Sequence, residues 1–93
     1  MKDPRTMLNE FMGGLEEVSK TNEEAVGAFM NLLGATYAPG KLDVKFKELI
    51  STGIGVYNRC EYCIVFHAYK ALEAGATREE IIEAAMVSVA FVV

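Results

Sequence analysis

An all-α fold is what this chain predicts, and three observations carry that reading. Apolar residues recur at helical spacing in five successive segments. Capping residues and glycine or proline breaks punctuate those segments. No alternating apolar–polar run of strand type persists anywhere, so no sheet is expected.

Asp3 followed by Pro4 reads as an N-cap with proline at the first helical position. Met7, Leu8, Phe11, Met12 and Leu15 follow at helical spacing, so helix 1 runs to about Ser19. The Gly13-Gly14 pair inside it weakens the helix by about 1 kcal/mol per glycine relative to alanine, and is expected to mark a close helix contact or a bend. Asn22 is placed to cap helix 2, with Glu23 and Glu24 favourably set in its first turn. The apolar stripe of helix 2 is Val26, Phe29, Met30, Leu33 and Tyr37, and Pro39-Gly40 is the clearest break in the chain.

Asp43 is the expected cap of helix 3, whose inward face is read as Val44, Leu49, Ile50, Ile54 and Tyr57. Gly53 and Gly55 within it suggest tight packing against a neighbour. Asn58-Arg59 forms the connection to helix 4, from about Cys60 to Ala74, and Gly75 supplies a left-handed cap. Thr77 and Glu80 have the spacing of a capping box, and helix 5 follows from Arg78 to the end. Helix 5 is apolar nearly all round after Glu83. Such a helix must be covered on all sides, which calls for subunit contact. Its uncapped end at Val93 is the expectation of a natural chain that continues further.

The 93 residues are expected to form a single domain, residues 1–93, as a helical bundle of about five helices. A chain of this length buries only about 60–65% of the surface exposed when unfolded, while 52% of its residues are hydrophobic. Apolar surface is therefore left over for association. The net charge of −4 and the lack of a basic stripe speak against nucleic acid as a partner. The start lacks an apolar signal-peptide core. The longest apolar stretch, Ala84 to Val93, is half of the roughly 20 residues needed to span a bilayer. A soluble, cytoplasmic protein without a membrane partner is expected. In a reducing compartment a Cys-x-x-Cys is more often redox-active or metal-binding than structural.

The densest chemistry lies in Cys60-Glu61-Tyr62-Cys63-Ile64-Val65-Phe66-His67, which holds both cysteines and the single histidine of the chain. At about 100° per residue, positions 60, 63 and 67 fall within roughly a 60° arc of one helix. Two sulfurs and one imidazole thus share a patch suited to thiol–disulfide or thiol–peroxide chemistry. Cys60 and Cys63 have the spacing for a disulfide across one turn at a helix start. Near a helix N-terminus a thiolate is favoured, and lowering a thiol pKa from ~8.5 to ~7 raises the thiolate fraction at neutral pH from roughly 3% to about 50%. His67, four residues after Cys63, is placed to take its proton directly or through a water. A carboxylate would orient that histidine. Glu61 projects away and Glu73 does not meet it, whereas Glu48 falls on the expected buried stripe of helix 3, where an acid is costly unless partnered.

Glu48, eleven residues, Cys60-x-x-Cys63, three residues and His67 together resemble the signature of the alkylhydroperoxidase D-like branch of the carboxymuconolactone decarboxylase family. The resemblance covers roughly residues 20–93, including the Gly75-Ala76-Thr77 junction. It implies an all-helical protomer assembled as a trimer or hexamer. It also implies catalytic roles for four residues: Cys63 as the thiol activated by Glu48 and His67, and Cys60 as its disulfide partner. By the same resemblance the substrate is a small hydroperoxide, and a lipoyl-type dithiol or a thioredoxin-like protein restores the thiols. No cofactor or metal is required. Tyr62 stands where several peroxidase members carry a second histidine, so a proton-relay role at that position is not carried over.

Two other function classes compete. The lactone decarboxylases of the family share the fold but lack the Cys-x-x-Cys, and a lyase of that type would need acid–base groups only. A metal-binding or structural oligomeric module would use the two cysteines, His67 and Glu48 as a zinc set, although structural zinc sites usually draw ligands from two separate segments. The reading adopted is a thiol-dependent peroxidase or disulfide oxidoreductase.

Overall fold

Side-chain caps set where the helices begin. In the computed structural model, which describes residues 2–91, the Thr6 N–H donates to Asp3 Oδ2 at 3.1 Å and opens α1, Pro4–Thr21. The Phe46 N–H donates to Asp43 Oδ1 at 2.8 Å and opens α3, Val44–Tyr57. At α5, Arg78–Met86, the capping box is complete: the Thr77 N–H donates to Glu80 Oε1 at 2.8 Å and the Glu80 N–H to Thr77 Oγ1 at 3.1 Å. Each cap satisfies donors that a helix start leaves without partners.

The remaining helices are α2, Glu23–Tyr37, and α4, Glu61–Glu73; a 3₁₀ segment, Val87–Phe91, follows α5. Among the described residues there is no strand, and the fold is all-α. No described helix is long and apolar enough to cross a membrane.

Asn22 departs from its expected role. Its side chain makes no cap bond to α2; its amide donates instead to Thr21 Oγ1 at 2.9 Å and its backbone N–H to Val18 O at 3.0 Å. One residue joins the two helices, and its donors close α1 rather than open α2. Helix 5 also differs, because the α-helix ends at Met86 and the backbone tightens to 3₁₀. Val92 and Val93, with the uncapped end expected there, lie outside the described residues.

The chain divides into two compact units, one up to Ala38 and one from Pro39. In the first, α1 and α2 pair as a hairpin. Gly13 and Gly14 have no heavy atom within 4 Å of where a Cβ would stand, so the close contact expected at that pair is not formed.

In the second unit α3 is central and packs against both α4 and α5. Its two faces are chemically distinct. Glu48, Ser51, Thr52 and Gly55 are buried, and the two hydroxyls donate to the Lys47 and Glu48 carbonyls at 2.8 Å each. A Cβ at Gly55 would stand 3.3 Å from Cys63 Cβ and 3.3 Å from Ile64 N, so α4 approaches that face closely. Gly53 likewise lies under the Ala84 carbonyl of α5, 3.2 Å from a Cβ built there. Both glycines thus mark tight packing.

The expected inward face of helix 3 needs correction. Val44 and Leu49 are half-buried, but Ile50, Ile54 and Tyr57 are half or more exposed. They wall an open groove of about 710 Å³ between α3, α5 and the 3₁₀ segment, together with Phe46, Ala84 and Phe91. Small and hydrogen-bonded side chains permit the closer α3–α4 approach, which leaves the bulky apolar stripe on the other side.

Candidate active site

The site runs along the α3–α4 pair, from the Glu48–His67 contact to the two cysteines, which lie where the end of α3 turns into the start of α4. The turn itself is a Schellman closure: the Cys60 N–H donates to Gly55 O and the Arg59 N–H to Val56 O, both at 3.1 Å. Such a closure needs one residue in the left-handed region. Arg59 occupies it with φ 56°, a conformation costing a residue with a Cβ about 1–2 kcal/mol.

Cys60 is therefore the N-cap of α4, not its first helical residue, with extended backbone at φ −95°, ψ 99°. Its Sγ accepts the Cys63 N–H at 3.2 Å, the role usually filled by a hydroxyl or carboxylate oxygen. The two sulfurs are joined as a Cys60–Cys63 disulfide, with Cα atoms 5.2 Å apart, inside the normal span for such a bond. The cap geometry means that a thiolate at Cys60 would replace the disulfide sulfur at a point where backbone N–H groups and the helix dipole favour negative charge.

His67 lies four residues beyond Cys63 on α4. Its Nδ1 is 2.7 Å from Glu48 Oε1 on α3. The Glu48 side chain is 5% exposed and that of His67 22%, so the bond is largely screened from water. A carboxylate only accepts, so in the neutral imidazole that makes this bond Nδ1 carries the proton and Nε2 the lone pair. The Phe66 ring stands edge-on to the imidazole, with centroids 5.2 Å apart. Burial of Glu48 is compatible with this bond, and no buried side-chain nitrogen or oxygen among the described residues lacks a partner.

The structure thus pairs Glu48 with His67 and Cys60 with Cys63, with Cys63 and His67 on α4 and Cys60 at its N-cap. Among the described residues, no three His, Cys, Asp or Glu side chains are grouped to hold a metal ion. Glu61 is exposed at the first position of α4, and Glu73 accepts from the Tyr69 hydroxyl at 2.8 Å; neither is bonded to the imidazole. Sequence reasoning anticipated the close packing at Gly55 but missed Arg59, whose left-handed backbone carries no signal in the sequence.

The profile of the carboxymuconolactone decarboxylase family matches residues 23–92. The chain belongs to that family. Its Cys-x-x-Cys-x-x-x-His pattern accords with the alkylhydroperoxidase D-like branch. A crystal structure of a family protein from Legionella pneumophila superposes with a TM-score of 0.90 at 31% identity, over 95% of this chain and 79% of that one. Another, from Thermotoga maritima, has 42% identity and a TM-score of 0.63 over 69% of this chain and 66% of that one. It is described as a family protein considered for involvement in antioxidative response. Among curated relatives, an uncharacterized protein of Cupriavidus necator is 30% identical over 87 residues, covering 94% of this chain and 77% of its own length. An uncharacterized protein of the cox locus in Paracoccus denitrificans is 35% identical over 74 residues, covering 80% and 67%.

Proposed function

We propose that this family member is a thiol oxidoreductase that reduces a small hydroperoxide or exchanges a disulfide, cycling Cys60 and Cys63 between dithiol and disulfide. The observation that carries the reading is the Glu48–His67 hydrogen bond, between a buried carboxylate and an imidazole on the helix that bears Cys63 and is capped by Cys60. Glu48 holds the tautomer in which Nε2 is the base. His67 takes the Cys63 proton, and the thiolate attacks the distal oxygen of the hydroperoxide. The O–O bond breaks, Cys63 becomes a sulfenic acid, and the departing alkoxide takes up the proton from His67. The Cys60 sulfur then attacks the sulfenic sulfur; water leaves and the disulfide forms. An external dithiol, small or carried on a thioredoxin-like protein, reduces it and is itself oxidised. Dithiol catalysis of this kind suits a reducing cytoplasm.

The Thermotoga protein considered for antioxidative response supports the same direction. So does the position of Cys60, because an N-cap thiolate is a good leaving group when the disulfide is reopened. We also propose that the protein works as a homo-oligomer, a trimer or hexamer, which would cover the apolar groove beside Ile50, Ile54 and Tyr57.

Hydroperoxide consumption with dithiothreitol as reductant tests the reading. Wild-type protein turns over, whereas Cys63→Ser and Cys60→Ser do not. A decarboxylase-type lyase would keep its activity in the double variant. A zinc module would purify with stoichiometric metal.

A further inference from the structure

Two helix ends in the second unit close by the same pair of backbone bonds. At the end of α4 the Ala76 N–H donates to Ala71 O at 2.9 Å and the Gly75 N–H to Leu72 O at 3.0 Å, with Gly75 left-handed at φ 96°. At the end of α3 the equivalent position is Arg59, at φ 56°. Glycine meets the backbone demand without strain, and asparagine is the usual second choice. An arginine there gains nothing for the turn.

Its side chain gains nothing for the fold either. Arg59 is exposed, and its guanidinium makes no hydrogen bond or ion pair among the described residues. By contrast, Lys2, Lys20, Lys45 and Lys70 are each ion-paired with a glutamate. A long cation of fixed charge thus stands next in sequence to Cys60, one half of the disulfide, on a chain of net charge −4.

The disulfide is opened by an anion. A thiolate attacks one sulfur, a new S–S bond forms, and the displaced sulfur leaves as a second thiolate, so negative charge spreads along three sulfurs. A second thiol of the reductant then displaces the remaining protein sulfur, leaving the reductant oxidised and both cysteines reduced. A cation carried on the residue next to Cys60 favours the approach of any thiolate, and favours most a thiol that carries a further negative group. Resting on the thiol oxidoreductase reading above, we infer that Arg59 is a recognition residue that selects an acidic, carboxylate-bearing thiol as reductant of the Cys60–Cys63 disulfide.

The test is the rate of disulfide reduction in the full chain, read by thiol labelling, with three probes: mercaptoacetate, 2-mercaptoethanol and cysteamine. Each variant is compared with wild type thiol by thiol, so the intrinsic reactivity of each probe cancels. Arg59→Gln slows mercaptoacetate by about 2- to 5-fold, the range for an exposed charge pair. It slows 2-mercaptoethanol less and cysteamine least. Arg59→Lys keeps the wild-type order. Arg59→Gly, which relieves the turn, melts no lower than wild type yet loses the preference as Arg59→Gln does. Salt at about 0.5 M flattens the wild-type order through screening. A preference for mercaptoacetate that survives Arg59→Gln overturns the inference while leaving the redox cycle intact. A disulfide that none of the three thiols reduces overturns the cycle itself, and the inference with it.

Discussion

Glu48 stands where a carboxylate is costly, and His67 is what makes the position tolerable. Two outcomes follow from this single bond. Glu48→Gln offers an amide that can donate to Nδ1, which moves the ring proton to Nε2 and removes the base. Oxidation of Cys63 by hydroperoxide at pH 7 is then expected to slow on the order of 100-fold, the scale of general-base catalysis. The deficit shrinks near pH 9, where an ordinary thiol ionises unaided. Stopped-flow oxidation at the two pH values checks both parts. His67→Ala leaves a buried carboxylate without this partner and is expected to lower stability by about 2 kcal/mol, measured by urea unfolding. The Glu48–His67 and Cys60–Cys63 pairings were legible in the sequence because helical spacing puts Cys63 and His67 on one face with Cys60 one turn earlier, and because an acid in an apolar helix asks for a partner; that Cys60 leaves the helix as its extended cap was not. Arg59 was not, since only the backbone angle distinguishes a strained position from an ordinary connection.

At the scale of the helices, α3 has one face for α4 and another for the groove, and glycine placement tells them apart. Gly55→Ala pushes a methyl to 3.3 Å from Ile64 N and Cys63 Cβ, and overpacking of this kind costs about 1–3 kcal/mol. Gly13→Ala meets nothing within 4 Å and is expected to stabilise by about 0.5–1 kcal/mol through helix propensity. Opposite shifts in melting temperature for the two variants are the expected result.

The capping box gives α5 a pH dependence. The Thr77 N–H first, and the Lys45 ammonium at 2.9 Å second, hold the Glu80 carboxyl below its ordinary 4.5. The folded state therefore releases that proton more readily than the unfolded chain. Its contribution is whole above pH 4.5 and is lost as pH falls through the lowered value. The stability gap between wild type and Glu80→Gln, measured by thermal melts from pH 7 to pH 3, should narrow across that acid range. The caps of α1, α3 and α5 could be read from the sequence because they depend on local spacing. The buried face of α3 could not, because an apolar stripe looks the same whether it meets a helix of its own chain or stays open.

For the whole molecule, apolar surface exceeds what one chain covers. The buried apolar residues among those described are Met7, Ala71 and Ala76, whereas Ile54, Val87 and Phe91 are each more than half exposed. An exposed contiguous patch of this kind marks an interaction surface, and the proposed trimer or hexamer is its natural cover. Ile54→Glu is expected to lower the molar mass seen by light scattering toward that of one chain, 10.2 kDa. The same mass for variant and wild type would remove the groove from the interface.

The most direct test of the redox cycle is intact mass with free-thiol counting, on reduced protein before and after about one equivalent of hydroperoxide. The cycle predicts loss of both thiols with a mass decrease of about two daltons, restored by a dithiol and abolished or greatly slowed in His67→Ala. Thiols that remain reduced, or that oxidise as fast without His67, would contradict it.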